Sequence, residues 1–149
     1  MKPVLFQGKR KDTGEWVYGD LIHRQAWSSK FVVIRVSDDG FDHYEEYEVI
    51  PETVGQFTGF WDNKGRKIFT GDIISYESVF VGEVVLECGA FGVGSVKELP
   101  LFLKNWCEND NYVSFWEICW NSDCDDYEVL PMIEVIGNKH DNPNLLFGG

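Results

Sequence analysis

The chain has 149 residues, 44% of them hydrophobic and 15% aromatic, and a formal net charge of -12. That much apolar and aromatic material excludes a disordered chain, and the length holds one domain or two small subdomains. The acidity opposes direct binding to nucleic-acid phosphates, and no apolar run approaches the roughly 20 residues a membrane span needs.

The opening "MKPVLFQGKRKD" lacks the apolar segment of a secretory signal, so a cytoplasmic location in a host cell is expected. After the turn "KDTG", "EWVYGDLI" (15–22) reads as a strand, and "SSK" is a short polar connection to a β-branched strand, "KFVVIRVS" (30–37). "DDG" closes that strand. "DHYEEYEVI" (42–50) alternates imperfectly, which predicts a strand with its Tyr and Val residues toward the core and its acids toward water.

"QFTGFW" and "RKIF" are two strand-like arms joined by "DNKG" (62–65). Asp and Asn favour a tight turn because they bond back to their own backbone, and Gly65 accepts a positive φ. Gly71 and Asp72 then lead into the strand "IISYE", with Asp72 expected to cap backbone N–H groups. The stretches "DTGEWVYGDLI" (12–22) and "DNKGRKIFTGDII" (62–74) share one pattern, which suggests two small hairpin-based units of SH3-like, half-barrel form.

"GEVVLECGAFGVG" (82–94) gives another strand, with glycines where a bend or bulge fits. The texture changes near residue 95. "VKELPLFLKNWCENDN" spaces Leu99, Phe102, Leu103 and Trp106 as a short helix over 99–107 would. "YVSFWEICW" (112–120) reads as an aromatic-rich strand, followed by the loop "NSDCDD" and a last strand region interrupted at Pro131. Asn142 and Pro143 begin a short C-terminal helix, Asn142 as its N-cap. The fold class expected is mainly β, or β-rich α+β, built of small-barrel-like units in one domain spanning residues 1–149, with a subdomain change near 95.

No chemistry-bearing motif stands out. His23, His43 and His140 are scattered, and no hydrolase, zincin or nucleotide-loop signature occurs. The four cysteines, Cys88, Cys107, Cys119 and Cys124, lack the close ligand pairs of a zinc site and read as reduced thiols; Cys119 and Cys124 are the pair to watch. Asn121, Asp123 and Asp125 alternate as in a calcium loop, but Asp126 stands where such a loop needs Gly and Met132 where it needs Glu. No metal, cofactor or catalytic residue is therefore assigned.

The blocks "FQGKRKDTGEWVYGDLI", "IPETVGQFTGFWDNKGRKIFTGDII", "GEVVLECGAFGV" and "VIGNKHDNPNLL" resemble the YopX family of phage- and prophage-encoded proteins of Gram-positive bacteria. They span most of the chain in order, and the central block is long and specific. The stretch from about residue 96 to 126 has no counterpart in that resemblance. The resemblance implies a mainly β protein of phage origin and brings no catalytic residues with it.

Three functional readings compete. The first is a non-enzymatic phage accessory protein acting through protein contacts, as a homo-oligomer or on another protein. Its surface would be Trp106, Tyr112, Trp116 and Trp120 with the acids Asp123, Asp125 and Asp126, because Trp and Tyr anchor interfaces. The second is an acidic mimic of nucleic acid that inhibits a host enzyme. Nine acidic residues lie between Glu108 and Asp141, and Lys139 is the one Lys or Arg after Lys104. The third is a small enzyme using Asp20 and Asp72, the equivalent carboxylates of the repeated pattern.

Overall fold

The computed structural model describes residues 5–37, 44–77, 79–87, 89–95, 111–121 and 129–146. The helix expected over 99–107 and the loop "DCDD" lie outside the described residues, as do Trp106, Cys88, Cys107 and Cys124. The fold is mainly β. It divides into two compact units, residues 1–57 and 58–149. Both are built of open antiparallel sheet, not closed barrels.

The first unit contains β1 (Phe6–Lys9), β2 (Trp16–Ala26), β3 (Ser29–Ser37), β4 (Tyr44–Val49), a single 3-10 turn (Pro51–Thr53) and the start of β5 (Gly55–Trp61). Its strand order is β4-β3-β2-β1-β5. The β2–β3 register sets Asp20 opposite Arg35 and Ala26 opposite Ser29. Gly19 makes the start of this pairing possible, because a Cβ there would lie 2.0 Å from the Arg35 carbonyl oxygen. Val33, Ile34, Val49 and Phe57 are buried. Tyr44 departs from the expectation for 42–50: it is 51% exposed, with the Arg35 guanidinium 4.2 Å from its ring centre. The period-2 rule accounts for this, since Tyr44 shares a face with Glu46 and Glu48, while Tyr47 and Val49 share the other.

The second unit continues β5 beside β6 (Lys67–Phe69) and holds a five-stranded sheet. That sheet has the order β10-β9-β8-β7-β11, with β7 (Asp72–Tyr76), β8 (Phe80–Glu87), β9 (Ala90–Ser95), β10 (Tyr112–Ser114) and β11 (Ile133–Asn138). Its core gathers Phe60, Ile68, Ile74, Val84, Val93, Val113, Phe115, Ile118 and Ile133. The turn "DNKG" forms as its residues demand. Asp62 N–H donates to the Arg66 carbonyl at 2.8 Å, and Gly65 takes φ +76°. Asp72 is buried and accepts the Phe69 N–H at 2.8 Å, which makes it a turn carboxylate.

The strand expected over 112–120 ends after three residues. From Phe115 the chain turns into the helix α1 (Phe115–Asn121). The switch is written in "SFWE". Ser114 Oγ accepts the Glu117 N–H at 3.1 Å, and Glu117 returns a carboxylate oxygen to the Ser114 N–H at 2.8 Å. This reciprocal pair is a capping box, which satisfies two N–H groups at the helix start. At the C-terminus Pro143–Leu146 forms a 3-10 turn. Asn142 stands immediately before it and its carbonyl accepts the Leu145 N–H at 3.1 Å, while its side-chain oxygen accepts the Asn138 N–H at 3.3 Å.

Candidate functional site

The longest pairing of the first unit also leaves its neighbours behind. β1 accompanies β2 only over Trp16–Gly19, and β4 accompanies β3 only from Val32 onward. Residues 24–31, "RQAWSSKF", therefore run as a two-stranded ribbon beyond both flanking strands. We call this ribbon the arm. Residues 24–30 are all exposed. A ribbon of this kind buries little, so its residues are available for a partner.

Trp27 and Ser28 form the two-residue loop at the tip, between the paired Ala26 and Ser29. Trp27 is 99% exposed. Its φ is +56°, while Ser28 stays in the ordinary negative range. A positive φ at the first loop position alone is the pattern of a type II′ hairpin turn, which ordinarily places Gly there. A bulky aromatic in that conformation is an outlier. Gln25–Lys30 and Ala26–Ser29 pair on either side, and the ribbon's own ladder holds the loop in place.

At the root of the arm lies a concavity of about 510 Å³, lined by His23, Arg24, Gln25, Lys30, Phe31, Val32 and Pro51. By the β2–β3 register, His23, Gln25, Lys30 and Val32 share one face of the ribbon, and Arg24 and Phe31 share the other. Among the described residues that line it, none is acidic. Arg24 is tied to Glu46, and Arg35 Nη2 donates to the same carboxylate at 3.1 Å. These two guanidiniums, Arg35 first, hold the Glu46 carboxyl below the usual carboxylate value. The arm itself has no acid, so the chain's whole negative charge sits elsewhere.

The residues singled out from the sequence are distributed differently. Tyr112 is 1% exposed, and its hydroxyl donates to the Ala90 carbonyl at 2.6 Å and the Glu87 carbonyl at 3.1 Å. It belongs to the core of the second unit. Trp116 is 48% exposed on α1 and meets Phe60 edge-on, ring centres 5.3 Å apart. Trp120 lies in α1, and its side chain is outside the described residues. Trp106, Asp123, Asp125 and Asp126 are outside them altogether. Asp20 is exposed on β2 in the first unit, and Asp72 is buried in the second. Among the described residues no group of three or more His, Cys, Asp or Glu could hold a metal. Cys119 is buried and unbridged. Among them, too, no helix is long and apolar enough to cross a membrane.

Trp27 and the arm had a signal in the sequence that went unread. An aromatic followed by two serines between two β-patterned runs of seven or more residues is a hairpin tip, and an aromatic at a tip cannot be core.

Among solved structures, protein EF1440 from Enterococcus faecalis is similar over 98% of this chain and 99% of its own, at 19% identity and a TM-score of 0.46. No curated protein matches the sequence. The profile of the family described as YopX protein matches residues 5–147, and the chain belongs to the YopX family.

Proposed function

We propose that this chain is a non-enzymatic protein-contact module of a phage or prophage, and that the arm is the surface through which it touches its partner. One observation carries the reading: an almost fully exposed Trp27 held at a loop position suited to Gly. A strained backbone that persists where it gains nothing for the fold points to a role outside the fold. Trp is also the side chain that contributes most at interfaces, because it buries a large rigid area at low entropic cost. The half-exposed Trp116 is the corresponding feature of the second unit.

The test is Trp27→Gly. Relief of the positive φ contributes about 1 kcal/mol, and the entropy of a new Gly in the unfolded chain costs a similar amount. Little packing is lost from so exposed a ring, so stability is expected to stay within about 0.5 kcal/mol of wild type. Tagged protein captured from phage-carrying host cells should then lose a specific partner that the wild type retains. Identical captured proteins from the two forms would sink the reading.

A further inference from the structure

We infer that Glu46 is a positioning residue for the arm: its bridge to Arg24 latches the root of the ribbon to β4, so that Trp27 is presented to a partner in one prepared orientation. The inference rests on the arm being the contact surface.

The register of β2, β3 and β4 puts Arg24, Val33 and Glu46 on one face of the sheet. Arg24 stands opposite Phe31, and Glu46 stands opposite Arg35. Their backbones are therefore two strands and four residues apart, roughly 10 Å across and 13 Å along in a flat ladder. The bridge runs diagonally, from a residue of the arm beyond the end of the β3–β4 pairing to one inside it. Val33 stands at the midpoint of that diagonal, and its 5% exposure fits a side chain lying beneath the bridge. A diagonal of this length needs the full reach of both side chains.

Among the described residues this is the one ion pair that joins the arm to the rest of the chain. Arg24 Nη2 donates to both carboxylate oxygens, to Oε2 at 3.0 Å. Arg35 Nη2 holds the same carboxylate at 3.1 Å, and its guanidinium lies over the Tyr44 ring. Glu46 is thus fixed by β3 and β4 whether or not the arm is present. Glu48, the next acid on that face of β4, is engaged by Lys11 at 3.2 Å and does not substitute for it. Lone exposed ion pairs contribute little, and networks with a fixed member contribute more. A ribbon that has outrun its flanking strands opens at low cost, so one such contact decides how far it is ordered. Order present before binding need not be supplied on binding, which raises affinity.

The experiment is backbone amide hydrogen exchange of the full chain, for wild type, Glu46→Gln, Glu46→Asp, Arg24→Gln and the Arg24→Gln/Glu46→Gln double variant. Residues 24–31 report the arm, and residues 6–9 of β1 report the first unit as a whole. Glu46→Gln should speed exchange in the arm about fivefold, the upper end for an exposed ion pair, and leave β1 unchanged. Glu46→Asp keeps the charge but is one methylene short of the diagonal, so it should behave like Glu46→Gln. The double variant should exchange no faster than either single one, because both remove the same bridge. Capture from phage-carrying host cells by Glu46→Gln should retain about fivefold less of the partner that Trp27→Gly loses. Unchanged exchange in the arm overturns the inference. So do equal acceleration in β1, an aspartate variant like wild type, additive single effects, and undiminished capture of a partner that depends on Trp27. If the exchange results hold but Trp27→Gly captures the same proteins as wild type, the latch stands as a feature of the fold and the protein-contact reading falls.

Discussion

Asp62 shows what one carboxylate can organise. It is fully buried, yet its oxygens accept four hydrogen bonds: from the Lys64 and Arg66 N–H groups on Oδ1, and from Arg66 Nε and the Val135 N–H on Oδ2. Burial pushes its pKa up. The N–H groups of Val135, Arg66 and Lys64, with the Arg66 charge, outweigh burial and hold it below the usual value. A depressed folded pKa means that the stabilisation is present above the unfolded pKa and is lost as the pH falls through the folded one. Asp62→Ala strands buried donors and should cost about 3 kcal/mol or more. Asp62→Asn should recover little, because its amide would point a donor at groups that are themselves donors. Urea titrations measure both, and in Asp62→Ala the acid limb of stability should flatten. A midpoint like the wild type's in Asp62→Asn would show that Oδ2 is not needed as an acceptor. Tyr112 works in the opposite pH range. Burial, then Glu117 and Glu87, push its hydroxyl up to about 12. Its contribution is complete below the unfolded value near 10 and is lost as the pH rises through about 12. Tyr112→Phe should therefore make stability flatter at alkaline pH, as melts across that range would report.

At the scale of elements, short pieces survive here because specific side chains fix their ends. A seven-residue helix is too short to be stable alone. α1 relies on its capping box and on burial of Phe115 and Ile118. Ser114→Ala should cost about 1 kcal/mol, read by denaturant midpoint, and an unchanged midpoint would mean the box is dispensable. The turn at Gly65 is a conformational test without steric complication, since a Cβ there meets nothing within 4 Å. Gly65→Val should cost about 1 kcal/mol or more through the positive φ alone. The repeated sequence pattern is realised in its turns and diverges after them. Gly19 lies inside the unbroken strand β2, leaving Asp20 exposed, whereas Gly71 takes φ +93° and breaks the chain before β7, turning Asp72 inward. The same dipeptide is a strand interior in one unit and a corner in the other.

For the molecule as a whole, charge is the property with the widest reach. A net charge of -12 on 149 residues makes the folded state repel itself. The exposed pairs that offset it, such as Lys64–Glu134 at 3.3 Å and Lys139–Glu83 at 3.3 Å, contribute little individually. Salt should screen the repulsion more than it weakens these pairs, so the melting temperature should rise between low and moderate ionic strength. A fall would mean that the ion pairs dominate. The same charge explains why the arm is distinctive, since it is an acid-free ribbon on an acidic protein.

The sequence by itself determined the mainly β class, most strand positions, the turn at 62–65, the role of Asp72 and the family. Each of these is set by local chemistry: alternation of side chains, β-branched runs, and turn residues whose φ and hydrogen bonds need no distant partner. Tertiary structure decided the rest. Tyr112 and Trp116 are both aromatic residues of one short stretch, but only the packing of β10 and α1 buries the first and leaves the second half exposed. Asp62 looked like a local turn residue, and its bond to Val135 exists only because β11 returns beside it, 73 residues later in the chain. The arm was legible as two strands and a polar connection. That it projects depends on where β1 and β4 stop pairing, and hydrogen-bond register between distant segments is not encoded in the pattern of either one alone.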